Sequence, residues 1–267
     1  MPDCGKFTAS MWDSALQLLH SPWAWALYFF CAMLIGISKT GIQNVGTFAV
    51  PLFALLFGAK YSTGIVLILL CMADLLAVIY YRKQFIWSEI KAMLPSAFLG
   101  LFIGLFVGEY IDDQTFKITM GACILVSVLL MVWGTNKAKN QGEGRDFTDN
   151  WWYAPMFGLL VGFSTMIGNA AGPALTIFLL TRKMDKYTLV ATGAWFIMIL
   201  NFTKIPLQLF VWQNLSWEGF MLNLMAIPFI VLGGFIGIRL VKIIPEKEFR
   251  IIILTLVLAS SLMLIFG

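Results

Sequence analysis

Lys39, Asp74 and Lys204 are ionisable side chains standing deep inside stretches that are otherwise apolar. A charged group at membrane depth is costly, so one that is kept there serves binding, coupling or pairing. Lys39 lies in the polar interruption Gly36-Ile37-Ser38-Lys39-Thr40-Gly41-Ile42-Gln43-Asn44-Val45-Gly46. A second interruption, Gly162-Phe163-Ser164-Thr165-Met166-Ile167-Gly168-Asn169-Ala170-Ala171-Gly172-Pro173, follows later in the chain. Lys204 sits in the apolar run Leu189–Phe210 with Asn201 and Thr203 as its polar neighbours, and Pro206 two residues on is expected to kink the helix and expose it. Two ammonium groups surrounded by neutral donors suit a small anion. Lys39, Thr40, Gly41, Gln43, Asn44, Ser164, Asn169, Asn201 and Lys204 form the candidate binding set, with Ser38 and Thr165 as further donors. Asp74, the sole deep carboxylate, is the candidate for coupling proton movement to anion movement. Plainer alternatives stand beside these roles. Lys39 could snorkel to an interface, Asp74 could neutralise a lysine as a structural ion pair, and Gly41, Gly46, Gly168 and Gly172 could serve close helix packing.

The elements that must position these groups are membrane helices. With 60% hydrophobic and 12% charged residues, the chain lies far from soluble proteins, where about a quarter of residues are charged. The expected class is an all-α polytopic integral membrane protein. The arms flanking the first interruption, Trp23–Ile37 and Ile42–Phe57, hold 15 and 16 residues, short of the roughly 20 of a spanning helix. They are predicted to be broken or re-entrant. Backbone freed at such a break is tolerated at membrane depth where it lines a cavity, and half-helix N-termini ending there favour an anion. Spans at Tyr61–Tyr81, Met93–Val107 and Ile118–Gly134 complete a first unit of five elements.

An internal repeat governs the organisation. A displacement of 133 residues carries Pro95, Gly100, Gly104, Ile111, Phe116, Lys117 and Gly134 onto Pro228, Gly233, Gly237, Ile244, Phe249, Arg250 and Gly267. Nearer the start the displacement is 126, pairing Gly36, Ser38, Gly46 and Tyr61 with Gly162, Ser164, Gly172 and Tyr187, and at 130 Asp74 falls on Lys204. Residues 1–21 form an N-terminal segment with a short interfacial helix at Thr8–Leu19 and no sign of a cleavable leader. Residues 22–134 and 151–267 are the two transmembrane repeats, joined by a polar linker at 135–150.

Loop charges orient the repeats. If each broken pair returns to the side it entered from, the halves are inverted, and thirteen lysines and arginines face one side against three on the other. If each broken pair crosses once, the split is seven against nine. The inverted arrangement carries the bias, with the linker cytoplasmic and both termini outside a bacterial inner membrane. The net charge of +4 is thus a topology signal and calls for no nucleic acid. The four cysteines show no paired or ligand-like spacing, and His20 is the only histidine, so no metal, haem or other cofactor is expected. Enzymatic classes fare no better. Intramembrane serine chemistry needs a histidine, aspartyl chemistry needs two membrane aspartates, and no phosphate-binding loop of an ATP motor is present.

Ser38-Lys39-Thr40-Gly41 followed by Gly46 and Val50-Pro51-Leu52, then Gly58-Ala59-Lys60, the Asp74 helix and Tyr80-Tyr81-Arg82-Lys83 with Trp87, resemble the sulfite exporter family of membrane transporters, TauE/SafE. The likeness runs from about residue 24 to 267. It implies transport of sulfite, a sulfonate such as sulfoacetate, or a related small oxyanion, and together with the inverted repeat the expected function is a secondary transporter working by alternating access, with a possible coupling proton or cation. The chain departs from the family's commoner, glycine-richer first break, since Lys39, Gln43 and Asn44 occupy it here. An anion channel or a membrane subunit of a larger complex is the alternative. Partners are the anion, the coupling ion and the bilayer, with homo-oligomerisation left open.

Overall fold

The computed structural model describes residues 19–41, 45–82, 84–140, 150–182 and 184–243, with positions 245, 248 and 255. Nine helices are described: α1 Pro22–Thr40, α2 Val45–Phe57, α3 Ala59–Tyr80, α4 Trp87–Tyr110, α5 Asp113–Asn140, α6 Tyr153–Gly168, α7 Gly172–Thr181, α8 Lys186–Phe210 and α9 Trp217–Ile243. Five of them, α1, α3, α4, α8 and α9, contain stretches long and apolar enough to cross a membrane. The protein is an all-α polytopic membrane protein. The Thr8 to Leu19 helix, apart from Leu19 itself, and the end of the second repeat beyond Ile243 fall almost wholly outside the described residues, as do Gln43 and Asn44.

Local chemistry sets the helix ends. Ser21 caps α1, its hydroxyl accepting from Ala24 N at 3.2 Å, with Pro22 opening the helix. Asp113, at the start of α5, reaches across to accept from Ala59 N and Lys60 N, and so satisfies the first donors of α3. Asp185 caps α8 by accepting from Tyr187 N and Thr188 N. The Thr188 hydroxyl also donates to that carboxylate and holds it below the usual range. Asn169, in the left-handed region at φ 51°, ends α6.

Two boundaries differ from the sequence expectation. The first break does not start at Gly36: α1 continues through Ser38, Lys39 and Thr40 and ends at Gly41. Lys39 finds its partner elsewhere, and the Thr40 hydroxyl reaches Gly36 O of its own helix and Gly234 O of α9 in a geometry that leaves α1 helical. At 19 residues α1 is about 28 Å long, close to the bilayer core. It is not the short arm expected; α2, with 13 residues, and α7, with 10, are. Likewise α5 extends through residues 135–140, so the linker predicted from Thr135 begins after Asn140. Pro206 lies inside a continuous α8 and leaves Lys204 fully buried, contrary to the exposure expected from a kink.

The two sequence halves are interlocked. One apolar core joins Tyr28, Phe53 and Leu69 of α1, α2 and α3 to Leu222 and Ile230 of α9. Another joins Val161, Phe178 and Leu200 of α6, α7 and α8 to Met93, Ala97 and Leu101 of α4. Each half thus lends its proline-bearing helix, Pro95 in α4 or Pro228 in α9, to the other. The two seams repeat each other. A Cβ on Gly100 would drive into Leu159 O and approach Phe163 N, and a Cβ on Gly233 would do so at Met33 O and Ile37 N. Gly162 lies on Ala97 O as Gly36 lies on Ile230 O. The displacements are again 126 and 133. Helices α3 and α8, which correspond in the repeat, run in opposite directions. Tyr81 packs with Val190 and Ala191, Ala77 with Ala194, and Thr63 bonds Asn214.

Adjacent glycines on α9 make this seam testable. A Cβ on Gly233 meets backbone, whereas one on Gly234 meets Thr40 Cγ2 at an ordinary 3.6 Å. Gly233→Ala is expected to cost about 1–3 kcal/mol through overpacking, and Gly234→Ala close to nothing. Thermal unfolding of the two variants in detergent measures the difference.

Candidate functional site

The ionisable groups converge between the two breaks. Lys39 Nζ lies 2.7 Å from Asp74 Oδ1, with the lysine side chain 13% exposed and the aspartate 0%. Asn201 Nδ2 donates to Asp74 Oδ2 at 2.6 Å. One buried carboxylate thereby ties α1 to α3 and α8. The pairing replaces the snorkelling alternative for Lys39, whose position in the last turn of α1 also suits a cation at a helix C-terminus.

Lys204 is fully buried and has a different company. Its ammonium donates to Thr165 O at 2.7 Å and to Asn169 Oδ1, with Thr165 Oγ1 at 3.4 Å. Among the described residues no carboxylate lies within ion-pair distance of it. Asn169 is fixed from its other end, Nδ2 donating to Thr63 O at 3.2 Å. The C-terminal end of α6, where carbonyls carry partial negative charge, thus receives a cation from α8.

A cavity of about 60 Å³ lies between these groups, several times the roughly 10–15 Å³ that admits one water. Its wall draws on both breaks. Ser38 and Lys39 close α1, Gly46 and Thr47 open α2, Thr165 and Asn169 close α6, Ala171 and Gly172 open α7, and Gly193 and Asn201 come from α8. Ile35, Val50, Val66, Leu70, Leu175 and Ile197 complete it with apolar surface. The first turns of α2 and α7 both border the cavity, and helix N-termini favour negative charge. The donor set therefore suits a small anion.

Of the residues singled out in the sequence, Lys39, Asn169 and Asn201 line this cavity, as do the further donors Ser38 and Thr165. Asp74 and Lys204 stand behind its wall, each bonded to lining residues. Thr40 and Gly41 face α9 instead. Thr40 Oγ1 donates to Gly234 O at 2.8 Å, Tyr81 OH donates to Thr40 O at 2.7 Å, and Gly41 abuts Gly237. Ser164 bonds back to Leu160 O at 2.7 Å. Gln43 and Asn44 lie outside the described residues. Thr47 and Gly193 line the cavity without having been singled out. The signal for Thr47 was its place one residue beyond Gly46, in the first turn after a break; Gly193, in an unbroken apolar run, gave none.

This architecture defines a multi-span membrane protein with a partly open cavity, bearing polar donors, between two helix breaks. The family model described as Sulfite exporter TauE/SafE matches residues 27–264, and the chain belongs to that family. Its membership makes it a membrane transporter of the sulfite exporter type, with a small anion as substrate class and a lipid bilayer around it. Comparison with curated proteins and with solved structures returned no match.

Removing one partner from a buried ion pair leaves the other uncompensated, at about 3–5 kcal/mol. Lys39→Met alone is therefore expected to destabilise the protein more than Lys39→Met with Asp74→Asn. A double-mutant cycle on detergent melting temperatures reads the coupling, and strict additivity would show that the pair does not interact.

Proposed function

We propose that the protein is a secondary carrier of a small sulfur oxyanion or sulfonate, bound in the cavity between the two breaks and released alternately to either side. The observation that carries this reading is the cavity itself: two helix N-termini, a lysine and two amides border one small space. Its substrate contacts are assigned to Lys39, Asn169 and Asn201, with Ser38, Thr47 and the first turns of α2 and α7. Asp74 is assigned to coupling. A carboxylate that shares Lys39 with the incoming anion loses part of its compensation when the anion binds, and taking up a proton restores it. The chain would then move anion and proton together.

The reading includes two inverted halves. It is supported by the opposed directions of α3 and α8 and by seams that repeat with the displacements of the sequence. Rocking of α1, α2, α3 and α9 against α4, α6, α7 and α8 would expose the cavity to each side in turn. The loop charges support an α5–α6 connection on the cytoplasmic side of a bacterial inner membrane.

Reconstituted protein is expected to take up radiolabelled sulfite with saturation, and Lys39→Ala to abolish or severely weaken that uptake while leaving insertion intact. Asp74→Asn is expected to exchange labelled sulfite but not to accumulate it against a gradient under a pH difference. Intact pH-driven accumulation in that variant would return Asp74 to a structural role, and linear, non-saturating conductance would favour a channel. Topology has its own check. Cysteines placed at Asn140 and Gln213 should label from opposite sides of the membrane.

A further inference from the structure

Lys204 poses a problem that the substrate site leaves unsolved. It is fully buried, it does not line the cavity, and no described carboxylate lies within ion-pair distance of it. Its partners are three neutral oxygens: the Thr165 carbonyl, the Thr165 hydroxyl and the Asn169 amide oxygen. These gather at the C-terminal end of a broken helix. In carriers with discontinuous helices such ends are where backbone carbonyls and side-chain oxygens coordinate a mobile sodium ion or proton. An ammonium is a compact point charge with three donors, and three acceptors meet it here. The ligand set is that of a monovalent cation site, and a side chain from α8 fills it.

We propose that Lys204 is a tethered counter-cation, occupying from within the chain an oxygen-lined site for a monovalent cation at the end of α6. The inference rests on the anion-carrier reading above and adds to it the source of the compensating charge. Lys39 cannot be that source in full, because Asp74 already pairs with it at 2.7 Å. Lys204 holds Thr165 and Asn169, both of which line the cavity, so its charge lies one layer behind the bound anion and its grip orients the wall. The repeat shows the same arrangement with the charges redistributed. By the displacements of 126 and 130, Lys39 corresponds to Thr165 and Asp74 to Lys204. The contact between broken helix and long helix is an ion pair in one half and an ammonium on neutral oxygens in the other. One half closes on an ion pair and the other on an ammonium whose direct partners are neutral. Lys204 thereby closes that oxygen site to sodium and potassium.

Lysine truncated to alanine leaves a space the length of a propylammonium ion, with its three oxygens still in place. Wild-type protein in proteoliposomes is expected to transport sulfite equally well in sodium, potassium or choline media. Lys204→Ala is expected to lose about tenfold or more of that flux, since it removes a buried charge and leaves its acceptors unpaired. Propylammonium added to both sides should restore much of the flux, tetramethylammonium should not, and Lys204→Met, whose stem fills the space, should respond to neither. A structural role alone would give no size-dependent rescue. A folded Lys204→Ala that transports normally, or that no small cation rescues, overturns the proposal, as does a sodium requirement in the wild type. If Lys204→Ala does not fold, the sodium test on wild type and flux through Lys204→Met decide, and full flux in the methionine variant refutes it. Sulfite binding to wild type, read as a thermal shift, separates this failure from that of the carrier reading. Absent binding would sink the carrier, whereas binding with an unaffected lysine variant would sink only the counter-cation.

Discussion

Withdrawing ions from water is the cost to which the interior of this protein is shaped. Asp74 and Lys204 have no exposed surface and Lys39 has little, and each buried ion loses several kcal/mol of hydration that its surroundings must offset. Two arrangements do so. Asp74 receives an ammonium at ion-pair distance on one oxygen and an amide hydrogen on the other. Lys204 receives a helix end, where the Thr165 carbonyl, which also accepts from Asn169 N, and two side-chain oxygens replace water as acceptors. The breaks are therefore more than interruptions: they bring the negative ends of α1 and α6 and the positive starts of α2 and α7 to one place. Because a buried pair seldom stabilises a protein more than well-packed apolar residues of the same volume would, folding stability alone does not account for these charges.

Packing holds these groups in register. Glycines at the α1–α9 and α4–α6 seams let backbones meet with no side chain between them, the close approach that membrane helices use where apolar burial offers no driving force. Since each seam joins helices from different sequence halves, neither half encloses its own core. A movement of one bundle against the other would leave both seams intact and concentrate its effect where the bundles face each other, at α3, α8 and the cavity.

Much of this could be read from the chain. The apolar runs gave the membrane class, and the repeat displacements reappear in the glycine contacts almost atom for atom, because close approach admits one residue type. Lys39, Asp74 and Lys204 stood out since ionisable groups in apolar runs are few. The extent of α1 could not be read, since Ser38, Lys39 and Thr40 look like a break unless their partners on α3 and α9 are known. Nor could the interlocking of the halves, which depends on which glycine face meets which. The division between lining and supporting residues was equally hidden. Thr40 and Asn169 are alike as polar neighbours of a break, yet one faces α9 and the other the cavity, according to helix phase. Thr47 and Gly193 escaped notice because threonine and glycine are ordinary in membrane helices.

The hydrogen bonds already made in the wall constrain what the cavity can hold. Each amide has two N–H donors. Asn169 uses its oxygen on Lys204 and its nitrogen on Thr63 O, and Asn201 uses its nitrogen on Asp74, so each keeps one further hydrogen. With Lys39 and two helix starts, the surplus in the wall is of donors, which a ligand rich in acceptor oxygens meets and a cation does not.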